Sequence, residues 1–205
     1  MGLWNDVIFP RLLHRVMQNP EALRQREAVI PAATGRTLEI GMGSGLNLPL
    51  YGPEILSVTG LDPSDTLLAM AGRVERGGDL EVELIPGQAE AMPFDDMSFD
   101  SVVSTWTLCS VDDPAAVMEE IRRVLKPAGR LVFVEHGRAP AASTGRWQDR
   151  LTPLWRKMAG NCHLNRDMVA VIGGAGFDLE GASGEWIEKI PRILSWQNRG
   201  VAVRI

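Results

Sequence analysis

Thr37-Leu38-Glu39-Ile40-Gly41-Met42-Gly43-Ser44-Gly45 is an apolar stretch that stops in three glycines spaced two apart. It reads as a buried strand running into a turn whose backbone can approach a ligand more closely than any Cβ would allow, with free N–H groups to offer it. Alone, such a run also fits an ordinary tight turn. The next apolar stretch, Val58-Thr59-Gly60-Leu61-Asp62, ends in a carboxylate. An acid about 20 positions past the glycines, at the tip of the following strand, is where nucleotide-binding parallel sheets hold ribose hydroxyls.

Outward from these two stretches, strands and helices alternate. Strands rich in Val, Ile or Leu are predicted at 37–41, 56–61, 81–85, 99–104 and 130–135, and helices most clearly at 64–76 and 114–125. The second helix has Pro114 at its start, an apolar side of Val117, Ile121, Val124 and Leu125, and Pro127 beyond its end. This alternation predicts an α/β fold with a parallel sheet covered on both faces. Residues 137–164 read as loop, followed by a helix at about 165–175 that Gly176 ends, and strands near 177–183 and 199–204. Upstream, Leu3, Val7, Ile8, Leu12, Leu13, Val16 and Met17 recur at helical spacing among Arg11, His14 and Arg15. Pro10 and Pro20 divide this zone into short helices, the second capped by Asn19. The reading is one domain, 1–205, with a helical cap at 1–34, a cofactor-binding half at 35–136, and a substrate-side lid with C-terminal strands at 137–205.

The chain has 205 residues, 45% hydrophobic and 23% charged, which suits one globular domain. A net charge of −5 argues against nucleic acid as a partner, because phosphate binding needs a concentrated basic face. The two cysteines, Cys109 and Cys162, provide no disulfide framework, and no Cys-x-x-Cys or Cys/His run at zinc spacing is present, so no metal is expected. No leader pattern and no membrane-spanning apolar run appear. A cytoplasmic protein is expected, with the amphipathic N-terminal zone available for peripheral contact with the inner membrane surface.

A glycine turn after the first strand serves three kinds of nucleotide site. A phosphate-cradling loop needs Gly-Lys-Ser/Thr, which is missing. A dinucleotide site wants Gly or Ala at the position of Leu46, where a small residue lets a helix pack over a pyrophosphate. A nucleoside without phosphates remains. Here Glu39 to Gly45 resembles the first motif of the class I S-adenosylmethionine-dependent methyltransferases, and Asp62 the acid ending their second strand. Gln88-Ala89-Glu90-Ala91-Met92-Pro93-Phe94, Phe99-Asp100-Ser101-Val102-Val103-Ser104 and Leu125-Lys126-Pro127-Ala128-Gly129-Arg130-Leu131 resemble the later motifs, in order. Ala128 stands where the family usually has a second glycine. The resemblance implies a Rossmann-like seven-stranded sheet of order 3-2-1-4-5-7-6 with the seventh strand antiparallel, and S-adenosyl-L-methionine as cofactor. Leu108-Cys109-Ser110-Val111, Val134-Glu135-His136 and Asn161-Cys162-His163-Leu164-Asn165-Arg166 resemble a narrower branch. It contains bacterial phospholipid- and ubiquinone-type methyltransferases and membrane-associated thiol methyltransferases of animals.

The resemblance implies that Gly41, Gly43 and Gly45 bring backbone against the methionine part of the cofactor and that Glu39 serves its ammonium end, unless Glu39 caps a helix. Asp62 is placed at the ribose, with a helix cap ahead of Ser64 as the alternative or additional role. Gln88 and Ala89 are placed at the adenine, and the backbone of Thr105 beside the methionine moiety. Trp106 belongs either to the acceptor pocket or to the core. His136, at the carboxyl edge, is the candidate general base or substrate orienter, and Glu135 its helper. Trp4, Phe9, Trp147 and Trp155 suit an apolar lid, and His163 the acceptor pocket. Cys109 and Cys162 read as a thiol site or as small buried hydrophobes. No Asn/Asp-Pro-Pro-Tyr follows the fourth strand, which argues against methylation of exocyclic amines of nucleic acid. The expected reaction is in-line methyl transfer to a small, amphiphilic or apolar amine, thiol or quinone-like acceptor. The competing readings are a catalytically silent cofactor-binding interaction module and a nicotinamide-dependent reductase.

Overall fold

β1 (Gly35–Ile40) carries four successive buried residues, Thr37 to Ile40, a pattern that only a strand covered on both faces can bury. Its parallel neighbours are β2 (Ile55–Asp62) on one side and β4 (Phe99–Thr105) on the other. β3 (Glu81–Pro86) extends the sheet from β2, and β5 (Leu125–His136) from β4, both parallel. β7 (Trp196–Arg204) runs antiparallel to β5 and pairs in turn with β6 (Phe177–Trp186) at the edge. The computed structural model describes residues 7–75 and 79–205 and has the order β3-β2-β1-β4-β5-β7-β6. This is the expected order.

The core lies in two layers. Val102, Leu131 and Phe133 point to one side, and Val103, Val132 and Val134 to the other, as the two-residue strand period requires. The first layer packs on α4 (Pro114–Val124) and α6 (Met168–Gly174), and the second on α2 (Pro20–Val29) and α3 (Asp65–Ala71). Asp113 caps α4 by accepting from the N–H groups of Ala115 and Ala116, and Asn19 caps α2 by accepting from Ala22.

Three local expectations need correction. Pro10 does not break α1 (Phe9–Met17): it sits in the first turn, where its missing N–H has no helical partner to lose. α3 ends at Ala71 with Gly72 as its cap, short of the expected residue 76, which lies outside the described residues. Leu3 and Trp4 also lie outside them. Residues 137–164 are not mainly loop, because α5 (Ala142–Met158) fills them. Its buried face is Gly145, Gln148 and Thr152, while Trp147, Leu151, Leu154 and Met158 are exposed. An inward face this polar is held by hydrogen bonds: Gln148 accepts from Ala139 N–H and donates to the carbonyls of Gly137 and Ile193.

The chain builds β1 to β3 in one direction, then returns to place β4 and β5 on the other flank of β1. The carboxyl ends of β1 and β4 therefore open a crevice at the switch point, the usual ligand position of such sheets.

Candidate active site

A cavity of about 510 Å³ fills that crevice. Glu39, Gly41, Gly43, Asn47, Asp62, Gln88, Ala89, Thr105 and Trp106 line it from the sheet side, and Phe9, Leu13, His14 and Met17 of α1 close it from above. His14 Nδ1 lies 2.7 Å from Ser44 Oγ, which ties α1 to the glycine turn.

All three glycines have left-handed φ, 62°, 56° and 75° in order, yet they do different work. A Cβ on Gly41 would lie 2.1 Å from Thr107 Oγ1, and one on Gly45 would stand 2.9–3.0 Å from Leu48 and Ala71. A Cβ on Gly43 would meet only the Gly41 carbonyl oxygen, at 3.8 Å. Gly41 and Gly45 thus admit neighbouring protein, while Gly43 leaves space in front of the turn. Gly45 is not part of the cavity wall.

Asp62 ties the end of β2 to that turn. Its Oδ2 accepts from Gly43 N–H and its Oδ1 from Ser64 N–H, both at 2.8 Å. Burial pushes its carboxyl up, against the pull of these two donors. Ser64, rather than Asp62, caps α3, accepting from Leu67 N–H. Each Asp62 oxygen keeps a lone pair for a further donor.

Glu39 is 1% exposed. Tyr51 OH donates to it at 2.6 Å and Asn47 Nδ2 at 2.8 Å, so its partners are side chains and it caps no helix. Burial pushes its carboxyl up to about 7, although these hydrogen bonds and the Arg26 guanidinium favour the charged form. Asn47 Nδ2 also reaches Thr105 Oγ1, and its own Oδ1 is buried without a partner. Arg26 enters from α2, stacks 4.8 Å from the Trp106 ring centroid and donates to the Met17 carbonyl. Burial brings its guanidinium down to about 10. Trp106 adopts a left-handed φ of 56°, costly for an aromatic residue, and its N–H donates to the Val134 carbonyl at 2.7 Å.

Arg26, Asn47 and Tyr51 carry no motif in the sequence. Arg26 sits in a helix with no clear apolar stripe, and Asn47 and Tyr51 follow the glycines as ordinary turn residues. Their convergence on Glu39 is tertiary.

The expected acceptor-side residues fall elsewhere. Glu135 is fully buried, and its oxygens accept from Ser104 Oγ and from the N–H groups of Thr107, Leu108 and Cys109. It anchors the loop after β4, and no hydrogen bond joins it to His136; it is not among the residues lining the cavity. Burial raises its carboxyl, and these donors oppose the shift. His136 ends β5 with Nδ1 toward Cys109 and Cys162, off the cavity wall. Trp147 is 56% exposed on the outer face of α5 under Arg150, and Trp155 packs on the two cysteines. His163 is held by its N–H to the Cys109 carbonyl, and burial together with Arg166 lowers its ring to about 4. In their place Glu90, Ser110, Val111, Asp112, Gly160 and Asn161 line the cavity's outer end.

A family profile described as a methyltransferase domain matches residues 38–133. Thiol S-methyltransferase TMT1B of Homo sapiens is 31% identical over 215 aligned residues, covering 96% of this chain and 85% of that protein. The chain belongs to the class I S-adenosylmethionine-dependent methyltransferases. Phosphatidylethanolamine N-methyltransferase of Cereibacter sphaeroides is 39% identical over 124 residues, 60% of each protein. A methyltransferase structure from Thermotoga maritima superposes at a TM-score of 0.71 over all of both chains, with 21% identity, and so shares the fold. The methyltransferase uses S-adenosylmethionine. Its cavity fits that cofactor: buried carboxylates on adjacent strand tips suit an ammonium and a ribose diol, and the orphaned Asn47 Oδ1 offers one more acceptor. The silent-module and nicotinamide readings are not favoured.

Proposed function

We propose that Glu39 and Asp62, flanking Gly43 on neighbouring strand tips, hold the two polar ends of the cofactor, and this pair carries the reading. Glu39 takes the ammonium group, with Asn47 and Tyr51 fixing its carboxylate. Asp62 accepts the ribose hydroxyls with the lone pairs that Gly43 and Ser64 leave. Gly43 admits the methionine chain, Thr105 flanks it, and Gln88 and Ala89 take the adenine. Gly41 and Gly45 shape the turn from behind.

The cofactor supplies an electrophilic methyl group, so the protein's task is to orient the acceptor in line and exclude water. Phe9, Leu13 and Met17 close the cavity from above, and Trp106, stacked under Arg26, forms a rigid wall beside Thr105. Ser110, Asp112 and Asn161 offer polar groups at the outer end. This combination suits a small acceptor with an apolar body and one nucleophilic head. A thiol is the first choice, since it ionises near neutral pH with little help from a base. An amine head group and a quinone-like ring are the other arms of the test. Incubation with methyl-labelled cofactor and a panel of hydrophobic thiols, aminolipids and reduced quinones should label one small-molecule class. Label found only in protein or RNA would overturn the reading.

The acceptor's apolar character agrees with a peripheral lipid contact, the second part of the proposal. Ile8, just before α1, and Leu12 and Val16 within it are 43%, 49% and 55% exposed, and none of them lines the cavity. On the cavity side of α1 the Phe9 ring packs on Gly160, just past the end of α5. Exposed Arg11, Arg15 and Arg73 border the adjoining groove and supply positive charge for anionic head groups. No described helix is long and apolar enough to cross a membrane. Attachment at the cytoplasmic face is therefore read as peripheral. Co-sedimentation with phosphatidylglycerol vesicles should exceed that with phosphatidylcholine and fall in Leu12→Asp/Val16→Asp. Equal recovery without vesicles would refute it.

A further inference from the structure

Three side chains from separate elements meet behind the cavity wall. Cys109 lies in the loop after β4, His136 is the last residue of β5, and Cys162 follows α5. Cys162 Sγ stands 3.7 Å from Cys109 Sγ, and His136 Nδ1 stands 3.5 Å from Cys162 Sγ and 3.9 Å from Cys109 Sγ. Both cysteines are buried and free, and the histidine is half-buried.

These distances are the edges of a coordination tetrahedron. With Zn–S near 2.3 Å and Zn–N near 2.0–2.1 Å, tetrahedral angles put two sulfurs about 3.8 Å apart and sulfur and nitrogen about 3.6 Å apart. All three observed separations fall within a few tenths of an ångström of those values. The two thiols and the imidazole nitrogen also satisfy one another by hydrogen bonding, which gathers the three donor atoms about one point before any ion is present. The donor set is also chemically consistent: two thiolates neutralise a divalent cation, so the assembled centre adds no net charge to a buried site.

The loop bearing Cys109 is braced independently of any ion. Glu135 Oε2 accepts from Cys109 N–H, His163 N–H donates to the Cys109 carbonyl, and Arg166 donates to the carbonyls of Leu108 and Val111. Such bracing holds a ligand in place before the metal arrives. It also gives the buried Glu135 a purpose that the methyl-transfer site does not.

We propose that Cys109, Cys162 and His136 form a zinc centre that pins the loop after β4 to the end of β5 and to the segment after α5. Binding exchanges one Zn²⁺ for the two thiol protons, which leave to solvent, and involves no redox step. Among the described residues no other Cys, His, Asp or Glu joins the group, so the fourth position falls to water or another neutral donor. The centre stands next to the cofactor cavity: Ser110, which lines it, has its Oγ 3.6 Å from Cys109 Sγ.

The test is elemental analysis of protein purified without a histidine tag under reducing conditions. About one zinc per chain is expected, falling at least tenfold in Cys109→Ser, Cys162→Ser and His136→Gln. Circular dichroism and S-adenosylmethionine binding report whether each variant folds. Cobalt(II) added to metal-free wild type should give intense visible bands of a tetrahedral ion with thiolate charge transfer, and this arm needs no variant. Metal-free protein with two titratable thiols and no cobalt bands would overturn the proposal. So would a Cys109–Cys162 disulfide, seen as the loss of two hydrogens by intact mass.

Discussion

The state of Glu39 makes cofactor affinity depend on pH over a range in which an ordinary surface carboxylate, ionised throughout, would contribute no dependence. Burial holds the Glu39 carboxyl at about 7 in the free protein. An ammonium group bound beside it favours the charged form, so its pKa in the complex returns toward 4.5 or below. Binding below pH 7 must therefore expel a proton, and affinity falls as pH falls. Between pH 8 and pH 5.5 the ionised fraction in the free protein drops from about nine-tenths to about 3%, which weakens binding roughly 30-fold, or about 2 kcal/mol. Isothermal titration of S-adenosylmethionine across this range, in buffers of different ionisation enthalpy, measures both the affinity and the expelled proton. Glu39→Gln should bind more weakly at pH 8 and lose most of the slope. Affinity constant within twofold from pH 8 to 5.5, or an equal slope in Glu39→Gln, would refute the assignment. The same shift sets the sign for the free protein. A folded pKa raised above the unfolded value gives a contribution complete below about 4.5 that is lost as pH rises through about 7, so the cofactor-free protein should melt higher at pH 5.5 than at pH 8 as far as Glu39 is concerned.

Asp62→Ala removes the proposed ribose acceptor together with the partner of Gly43 N–H, and should weaken cofactor binding by about 2–4 kcal/mol in the same titration. Gly41→Ala and Gly43→Ala should separate: the first forces a Cβ onto Thr107 and should lower stability by about 2–4 kcal/mol in urea melts. Gly43→Ala faces space, so it should cost about 1 kcal/mol of stability and a larger share of cofactor affinity. Glu135→Ala orphans Ser104 Oγ and three backbone N–H groups and should destabilise by about 3–5 kcal/mol. A Glu135→Ala protein of wild-type stability with lost turnover would instead return Glu135 to catalysis.

The central strands were legible because a parallel strand buried on both faces must be apolar along its length, which local composition reports directly. The glycines and Asp62 were legible for a related reason: a left-handed turn and a carboxylate at a strand tip are local demands with few residue solutions. The strand order came only through resemblance to a family, since no local pattern says which edge β4 joins. α5 escaped because its inward face is Gly145, Gln148 and Thr152, although the apolar spacing 147, 151, 154 and 158 is helical and signals a helix whose oily side faces out. Glu135 and His136 looked like a catalytic pair because they end a strand at the ligand edge. Only the folded chain shows that the N–H groups of the loop after β4 consume one and that two cysteines surround the other.

The sequence by itself determined the methyl donor. The turn that receives it is built from neighbours in the chain, so its chemistry is written in consecutive residues. Tertiary structure decided the rest: Arg26, Asn47 and Tyr51 around Glu39, α1 over the cavity, and the cluster of Cys109, His136 and Cys162. Those groupings join residues from different elements. Their relation exists only as distance in space, which no spacing along the chain encodes.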